Sequence, residues 1–335
     1  MNGTKIRWGI LGCGRIARKF ASDLRLVADA ELIAAASRNK ETLEQFVKDF
    51  PCKHAHNSYE ALVSNNEVDV IYVATPHSHH HEHTLLCLDH DKAVLCEKAF
   101  AINSRQANEM IQTAKAKKIF LMEALWTKFL PHYKKLQELL QQKALGDVKS
   151  MLVNFGFRTS GVSPQRLFDP LLGGGTLLDI GIYNVFMTLA VLGKPDHIEA
   201  TMTSAPTGVD EQIAILFTYN NGAAAQLFSS FTTNLPTQAE INGTEGNITL
   251  TSRFYEPSAT IQLSKKIPYE REIIAVEKEN GFGYQYEARH VNECLKKGLT
   301  ESPVMTHADT LLLMETLDTI RSKAGLLYPA DNIGI

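Results

Sequence analysis

Cysteine is scarce in this sequence: five residues in 335 (Cys13, Cys52, Cys87, Cys96 and Cys294), with no CxxC pair among them. An odd number of widely spaced thiols argues against a disulfide framework or a thiolate zinc site, and for free thiols. Cys87 and Cys96 lie in apolar runs and read as core; Cys13 falls in a glycine turn at a helix start, where thiol pKa tends to fall. Charge of one sign is also lacking. Lys and Arg total 34 against 37 for Asp and Glu, a net charge of −3 with no basic block, so nucleic acid is not expected as a partner. No apolar run reaches the length of a membrane span and MNGTKIRWGILGCG is not a signal peptide, so the expectation is no membrane partner and a cytoplasmic location. Low-complexity linkers and internal repeats are missing too. What is present is 44% hydrophobic and 21% charged, the balance of a globular chain long enough for two cores.

Along the first third, short apolar runs alternate with amphipathic stretches. KIRWGIL, ELIAAAS, VDVIYVAT, AVLCE and IFLMEAL have the length of buried strands, and between them Ile16, Phe20, Leu24 and Val27 recur at helical spacing, as do Leu43, Phe46, Val47 and Phe50. That alternation predicts a doubly wound parallel sheet, a Rossmann-type α/β domain over residues 1–123. Residues 124–335 read as an α+β domain. An amphipathic helix (FLPHYKKLQELLQQK) and a strand (DVKSMLVNFGFRT) lead to a glycine-led helix that stops at Gly193 and Pro195. From Asp196 to about Lys266 the runs alternate with turns, predicting an antiparallel meander with one open face. A helical tail from Tyr284 to Gly325 closes the chain.

GCGRIA fits G-x-G-x-x-G/A, and it follows a strand and opens a helix, which is the context that gives the pattern meaning. Gly12 permits a tight turn, Gly14 lets backbone approach a pyrophosphate, and Ala17 allows close helix–strand packing. The free N–H groups of the helix start, around Arg15 and Ile16, then face the anion. At the end of the second strand an NAD enzyme usually carries Asp or Glu for the ribose 2′-hydroxyl. Here Ser37, Arg38 and Asn39 stand instead, a set suited to a 2′-phosphate. NADP is the expected cofactor, ahead of NAD.

GILGCGRIA, VDVIYVATPHSHHHEHTLLCL, AVLCEKA, LMEALWTKFLP and GGGTLLDIGIYNV together resemble the Gfo/Idh/MocA family of sugar and polyol dehydrogenases, nearest its dihydrodiol dehydrogenase branch. The resemblance runs from about Lys5 to Pro329. It implies that Thr75, Pro76 and His80, in the pattern T-P-x-x-x-H, lie beside the nicotinamide and ribose. Five histidines crowd residues 77–83. His77 and His80 are expected to line the cofactor crevice, while His79, His81 and His83 face solvent or pack on the helix surface. No HExxH occurs and no acidic or thiol ligand was found at suitable spacing, so no metal is expected.

Glu97 and Lys98 close the fifth strand at its carboxyl end, where a buried ammonium without a partner is costly. The resemblance makes Lys98 catalytic. Its motif ends in proline, replaced here by Ala99, which leaves Lys98 in place and loosens its loop. DIGIY sets Asp179 and Tyr183 on one helix face, with Gly181 leaving room for close approach. The resemblance assigns the tyrosine as acid–base group. A phenol of pKa about 10 is a poor base at neutral pH, and the ammonium of Lys98 with the positive nicotinamide would favour phenolate. Asp179 would orient the substrate hydroxyls or the lysine. Trp126, Phe155 and Phe157 are candidates for the apolar wall of a substrate pocket. These residues favour an NADP-dependent dehydrogenase of a sugar, polyol or diol over a silent, cofactor-binding regulator of the same fold. The meander, too apolar for solvent, predicts a homodimer through the C-terminal sheet.

Overall fold

The computed structural model describes residues 5–159, 165–251, 253–265 and 270–332. Six strands build the first sheet: β1 (Ile6–Leu11), β2 (Ala30–Ala36), β3 (His54–His56), β4 (Val70–Val73), β5 (Ala93–Glu97) and β6 (Leu121–Ala124). All their pairings are parallel, in the order β3-β2-β1-β4-β5-β6. The crossovers run through α1 (Arg15–Leu24), α2 (Lys40–Asp49), α3 (Tyr59–Val63), α4 (His80–Asp89) and α5 (Ser104–Lys117). Strands β4 and β5 are buried along their whole length, which is why they read as unbroken apolar runs rather than alternations. The strand order reverses beside β1, so the carboxyl ends of β1 and β4 flank the crevice where such sheets take ligands. β3 and α3 were not anticipated. HAH has no apolar face to read, and a helix of five residues is too short to show a period.

The second sheet has eight strands. After α6 (Pro131–Gln141) come β7 (Val148–Gly156), α7 (Ile182–Leu192), β8 (His197–Ser204), β9 (Asp210–Thr218), β10 (Ala224–Ser230), β11 (Ala239–Gly243), β12 (Asn247–Thr251), β13 (Thr260–Ser264) and β14 (Arg271–Ile274). The order is β14-β13-β12-β11-β7-β10-β9-β8. It is mostly antiparallel, but not the simple meander expected: β7 inserts between β10 and β11, parallel to β10 and antiparallel to β11. The expected end of the meander at Lys266 lies outside the described residues. Along β9, Ile213, Ile215 and Phe217 are buried, while Leu216 points to the other face and is 39% exposed.

A correction concerns the membrane. Among the described residues one helical stretch, Pro170–Leu192, is long and apolar enough to cross a bilayer, and most of it is buried inside the protein. Glycines and Asp179 break its apolar run in the sequence.

The tail forms α8 (Tyr284–Lys296) and α9 (His307–Ala324). Two compact units result: Met1–Phe129 with Glu279–Leu311, and Leu130–Lys278 with Leu312–Ile335. Much of the tail thus packs with the first unit, although the sequence reading placed everything from residue 124 in the second. Side-chain bonds explain the return. Asp23 at the end of α1 accepts from the backbone N–H groups of Phe282 (3.0 Å) and Tyr284 (2.9 Å), capping α8, and the Trp8 indole of β1 donates to Asn292 (3.0 Å). Neither partner leaves a periodic mark in the sequence.

Candidate active site

The candidate dinucleotide residues lie in three loops at the carboxyl ends of the first sheet. After β1, Gly12 has φ +96°, and a Cβ there would come within 3.1 Å of the Ala74 carbonyl oxygen. Glycine is needed on both counts. Gly14 caps α1 without any side-chain partner, the first turn carries no acid, and nothing among the described residues lies within 4 Å of a Cβ placed on Gly14. Gly14 and Arg15 are exposed, Ile16 is half-buried and Ala17 fully buried. The uncapped N-terminus of α1 is thus open to an anion, and these residues fit a pyrophosphate. Cys13 is not the reactive thiol its helix-start position suggested. It is buried with its Sγ toward the Ala36 carbonyl (3.5 Å), and burial pushes its pKa up to about 12.

At the end of β2, Ser37 is buried and accepts from the Asn39 backbone N–H at 3.3 Å. Asn39 caps α2 by accepting from the Thr42 N–H at 2.7 Å. Arg38 is left to present its charge, exposed and held over the face of Tyr59 at 5.5 Å.

The histidine stretch is tied down by hydrogen bonds. Pro76 precedes a short 3-10 turn, His77–His79, that runs into α4, and His77 is buried. His80 is wholly buried, with Nδ1 2.7 Å from the Ala99 carbonyl and Nε2 2.8 Å from the Thr75 carbonyl. Burial pushes its pKa down to about 4, so at neutral pH the ring carries one proton and donates to one carbonyl of the two. His83 differs from expectation: it is buried rather than on the helix surface. Its Nδ1 is 3.0 Å from the Thr75 hydroxyl, and its ring meets Tyr59 edge-on at 4.7 Å. Burial holds its pKa near 3. His79 and His81 are half-buried. The acidic neighbour that the spacing seemed to lack is Glu82, whose Oε2 lies 3.7 Å from His79 Nδ1.

Lys98 follows β5 and is half-buried. Glu97, buried behind it, accepts from the Tyr72 hydroxyl and, at 3.1 Å, from the Lys98 backbone N–H. The Lys98–Ala99 peptide is cis. Ala99 is fully buried and its carbonyl faces His80, so the turn that lacks proline is held by an imidazole instead. Trp126 stacks on Tyr284 (4.5 Å between centroids, 7° between planes) within this same unit.

The second unit gathers the other candidates. The turn Leu177–Gly181 is π-helical and carries Asp179, and Tyr183 follows in the first turn of α7. Such wide turns often occur where a helix serves a site. Asp210 holds its start: one carboxylate oxygen accepts from the Thr176 hydroxyl (2.5 Å) and the Leu177 N–H (2.7 Å). Gly181 makes room for protein rather than ligand, since a Cβ there would stand 2.9 Å from the Ser229 hydroxyl. Asp179 pairs with Arg166 at 2.9 Å. The Tyr183 ring lies 4.6 Å from that of Tyr255, which stacks on Phe155 at 4.5 Å. Phe157 packs on Phe231 at 5.2 Å and is 37% exposed. A phenol, a carboxylate–guanidinium pair and an aromatic floor suit a small ligand bearing several hydroxyls. Arg166 and Tyr255 were missed. Arg166 bears no periodic relation to Asp179, and Tyr255 lies in RFYEPS, which reads only as a turn.

Comparison with known proteins agrees with this arrangement. Residues 6–125 match the model described as oxidoreductase family, NAD-binding Rossmann fold, and residues 133–249 match the GFO/IDH/MocA C-terminal domain. Trans-1,2-dihydrobenzene-1,2-diol dehydrogenase of Xenopus laevis is 39% identical over 331 residues, covering 96% of this chain and 99% of its own. A 3-ketoreductase from Actinomadura kijaniata, solved with NADP and TDP-benzene, superposes with a TM-score of 0.86 at 24% identity, covering 96% of this chain and 98% of its own. Levoglucosan dehydrogenase, solved with NADH and levoglucosan, gives 0.86 at 18% identity with the same coverage. At such identities the two structures share the fold.

Proposed function

This chain belongs to the Gfo/Idh/MocA oxidoreductase family, and we propose that, as a dehydrogenase acting on CH–OH groups, it uses NADP and a sugar, polyol or trans-dihydrodiol. The observation that carries the cofactor choice is the end of β2, where an exposed arginine and a buried serine stand in place of an acid. A 2′-phosphate gains a charge-assisted partner there. The bound nicotinamide supplies the hydride acceptor or donor.

The remaining chemistry falls to the chain's own side chains. Tyr183 takes the hydroxyl proton in oxidation and returns it in reduction. Lys98 supplies a positive charge suited to stabilising a nascent alkoxide. Asp179, aligned by Arg166, accepts hydrogen bonds from substrate hydroxyls. Phe155 with Tyr255 provides the apolar floor. Trp126 stays a candidate for the apolar wall, held by its stack on Tyr284.

The relatives are named as dehydrogenases and a 3-ketoreductase, which supports the enzyme over the silent regulator. A homodimer through the open face of the second sheet belongs to the same proposal. That face presents Leu152, Leu216 and Phe228 among Asn154 and Gln226, an apolar patch rimmed by polar groups. We also place the protein in the cytoplasm, on the strength of its five free thiols. The test of the activity is nicotinamide absorbance across a panel of pentoses, hexoses and trans-dihydrodiols. Turnover with NADP at a kcat/KM at least tenfold above that with NAD is expected. Tight NADPH binding with no turnover on any of them would overturn the enzyme reading.

A further inference from the structure

The start of α4 gathers two imidazoles and a carboxylate. His79, Glu82 and His83 follow the spacing i, i+3, i+4, which brings all three onto one face of a helix. Their ligand-capable atoms all lie within 4.8 Å of one another. The rings of His79 and His83 are 5.4 Å apart, centroid to centroid, and inclined by only 24°, and Glu82 Oε2 is 3.7 Å from His79 Nδ1. Bound to one ion at about 2.0–2.2 Å, such donors stand roughly 3.3 Å apart. Small side-chain rotations close the difference, and they are available because Glu82 is 74% exposed and His79 29%.

His83 is prepared differently. It is buried, and its Nδ1 is engaged by the Thr75 hydroxyl at 3.0 Å, leaving Nε2 as the ligating nitrogen. An outer hydrogen bond on the second ring nitrogen is the feature that fixes tautomer and ring orientation in histidine–metal sites. The Tyr59 ring, edge-on at 4.7 Å, walls the same imidazole.

We propose that His79, Glu82 and His83 form a binding site for one divalent ion of the zinc class, with water in the fourth position. Two imidazoles and one carboxylate select borderline ions such as Zn²⁺, Co²⁺ or Ni²⁺ over Mg²⁺ and Ca²⁺, which prefer all-oxygen shells. Thr75 belongs to the loop proposed to meet the dinucleotide, so one hydroxyl braces the metal ligand from the cofactor side. The helical i, i+4 pair, not an HExxH pattern, makes the site.

The probe is Co²⁺ alone, titrated into chelator-treated full-length protein and followed by its visible d–d absorption and by calorimetry. The expected result is one ion per chain with a micromolar Kd, and at least tenfold weaker binding in both His79→Ala and Glu82→Gln. Glu82 is on the surface, so Glu82→Gln leaves the fold intact and keeps the comparison valid. NADPH binding, followed by fluorescence, is expected to survive in Glu82→Gln, which separates loss of the metal from loss of the cofactor loop. Absence of stoichiometric Co²⁺ binding, or binding undiminished in both variants, overturns the site.

Discussion

Lys98 and Tyr183 are held in different ways. Glu97 receives the Lys98 backbone N–H and the Tyr72 hydroxyl, and His80 faces the next carbonyl, so the lysine is aimed by its backbone. Tyr183 is aimed by ring packing against Tyr255. Removing the phenol oxygen in Tyr183→Phe leaves that packing intact and is expected to lower kcat about a hundredfold with NADPH affinity nearly unchanged. Lys98→Met should be at least as damaging. If both groups serve the same proton transfer, the double variant should be little worse than the worse single one. Multiplicative losses in steady-state kinetics would instead show independent roles. At the end of β2, Arg38→Asp should shift preference from NADP towards NAD, read as the ratio of the two kcat/KM values. An unchanged ratio would sink the NADP assignment. These candidates stand out in the sequence because each sits in a motif of fixed spacing. Arg166 and Tyr255 do not, since folding brings them to Asp179 and Tyr183 from stretches with no local signal.

Among elements, the π-helical turn Leu177–Gly181 depends on one buried carboxyl. Asp210 accepts two hydrogen bonds through one oxygen, and its other oxygen has no partner among the described residues. Burial outweighs those bonds and pushes its pKa up to about 7. A carboxyl whose folded pKa is raised is protonated in the folded chain before it is in the unfolded one. Its contribution to stability is therefore greatest below pH about 4 and is lost as pH rises towards 7. Compared with Asp210→Asn, the wild-type protein should lose on the order of 1–3 kcal/mol between pH 5 and pH 8 in urea unfolding. A pH-independent difference between the two proteins would contradict this. The strands and long helices of both units could be read from periodicity, because their buried faces repeat. The wide turn and the insertion of β7 beside β10 could not, since neither a π register nor the choice of a distant strand partner changes the local pattern.

For the whole molecule the open sheet face sets the expected assembly. Leu152 and Leu216 are 40% and 39% exposed there, and a second copy would cover them. Light scattering at micromolar concentration should give the mass of a dimer, and Leu216→Arg should shift it to the monomer while leaving each chain folded. A monomeric wild-type protein would count against the interface. The split between units carries another consequence, for the order in which the chain is made. The first sheet is complete at Ala124, yet Asp23 and Trp8 wait for partners at residues 282–292. During synthesis the first unit therefore leaves the ribosome with its α8 partners still unmade, and Asp23 and Trp8 go without them until the second sheet has been translated. Nascent chains released before about residue 296 should be the species that chaperones hold and proteases cut.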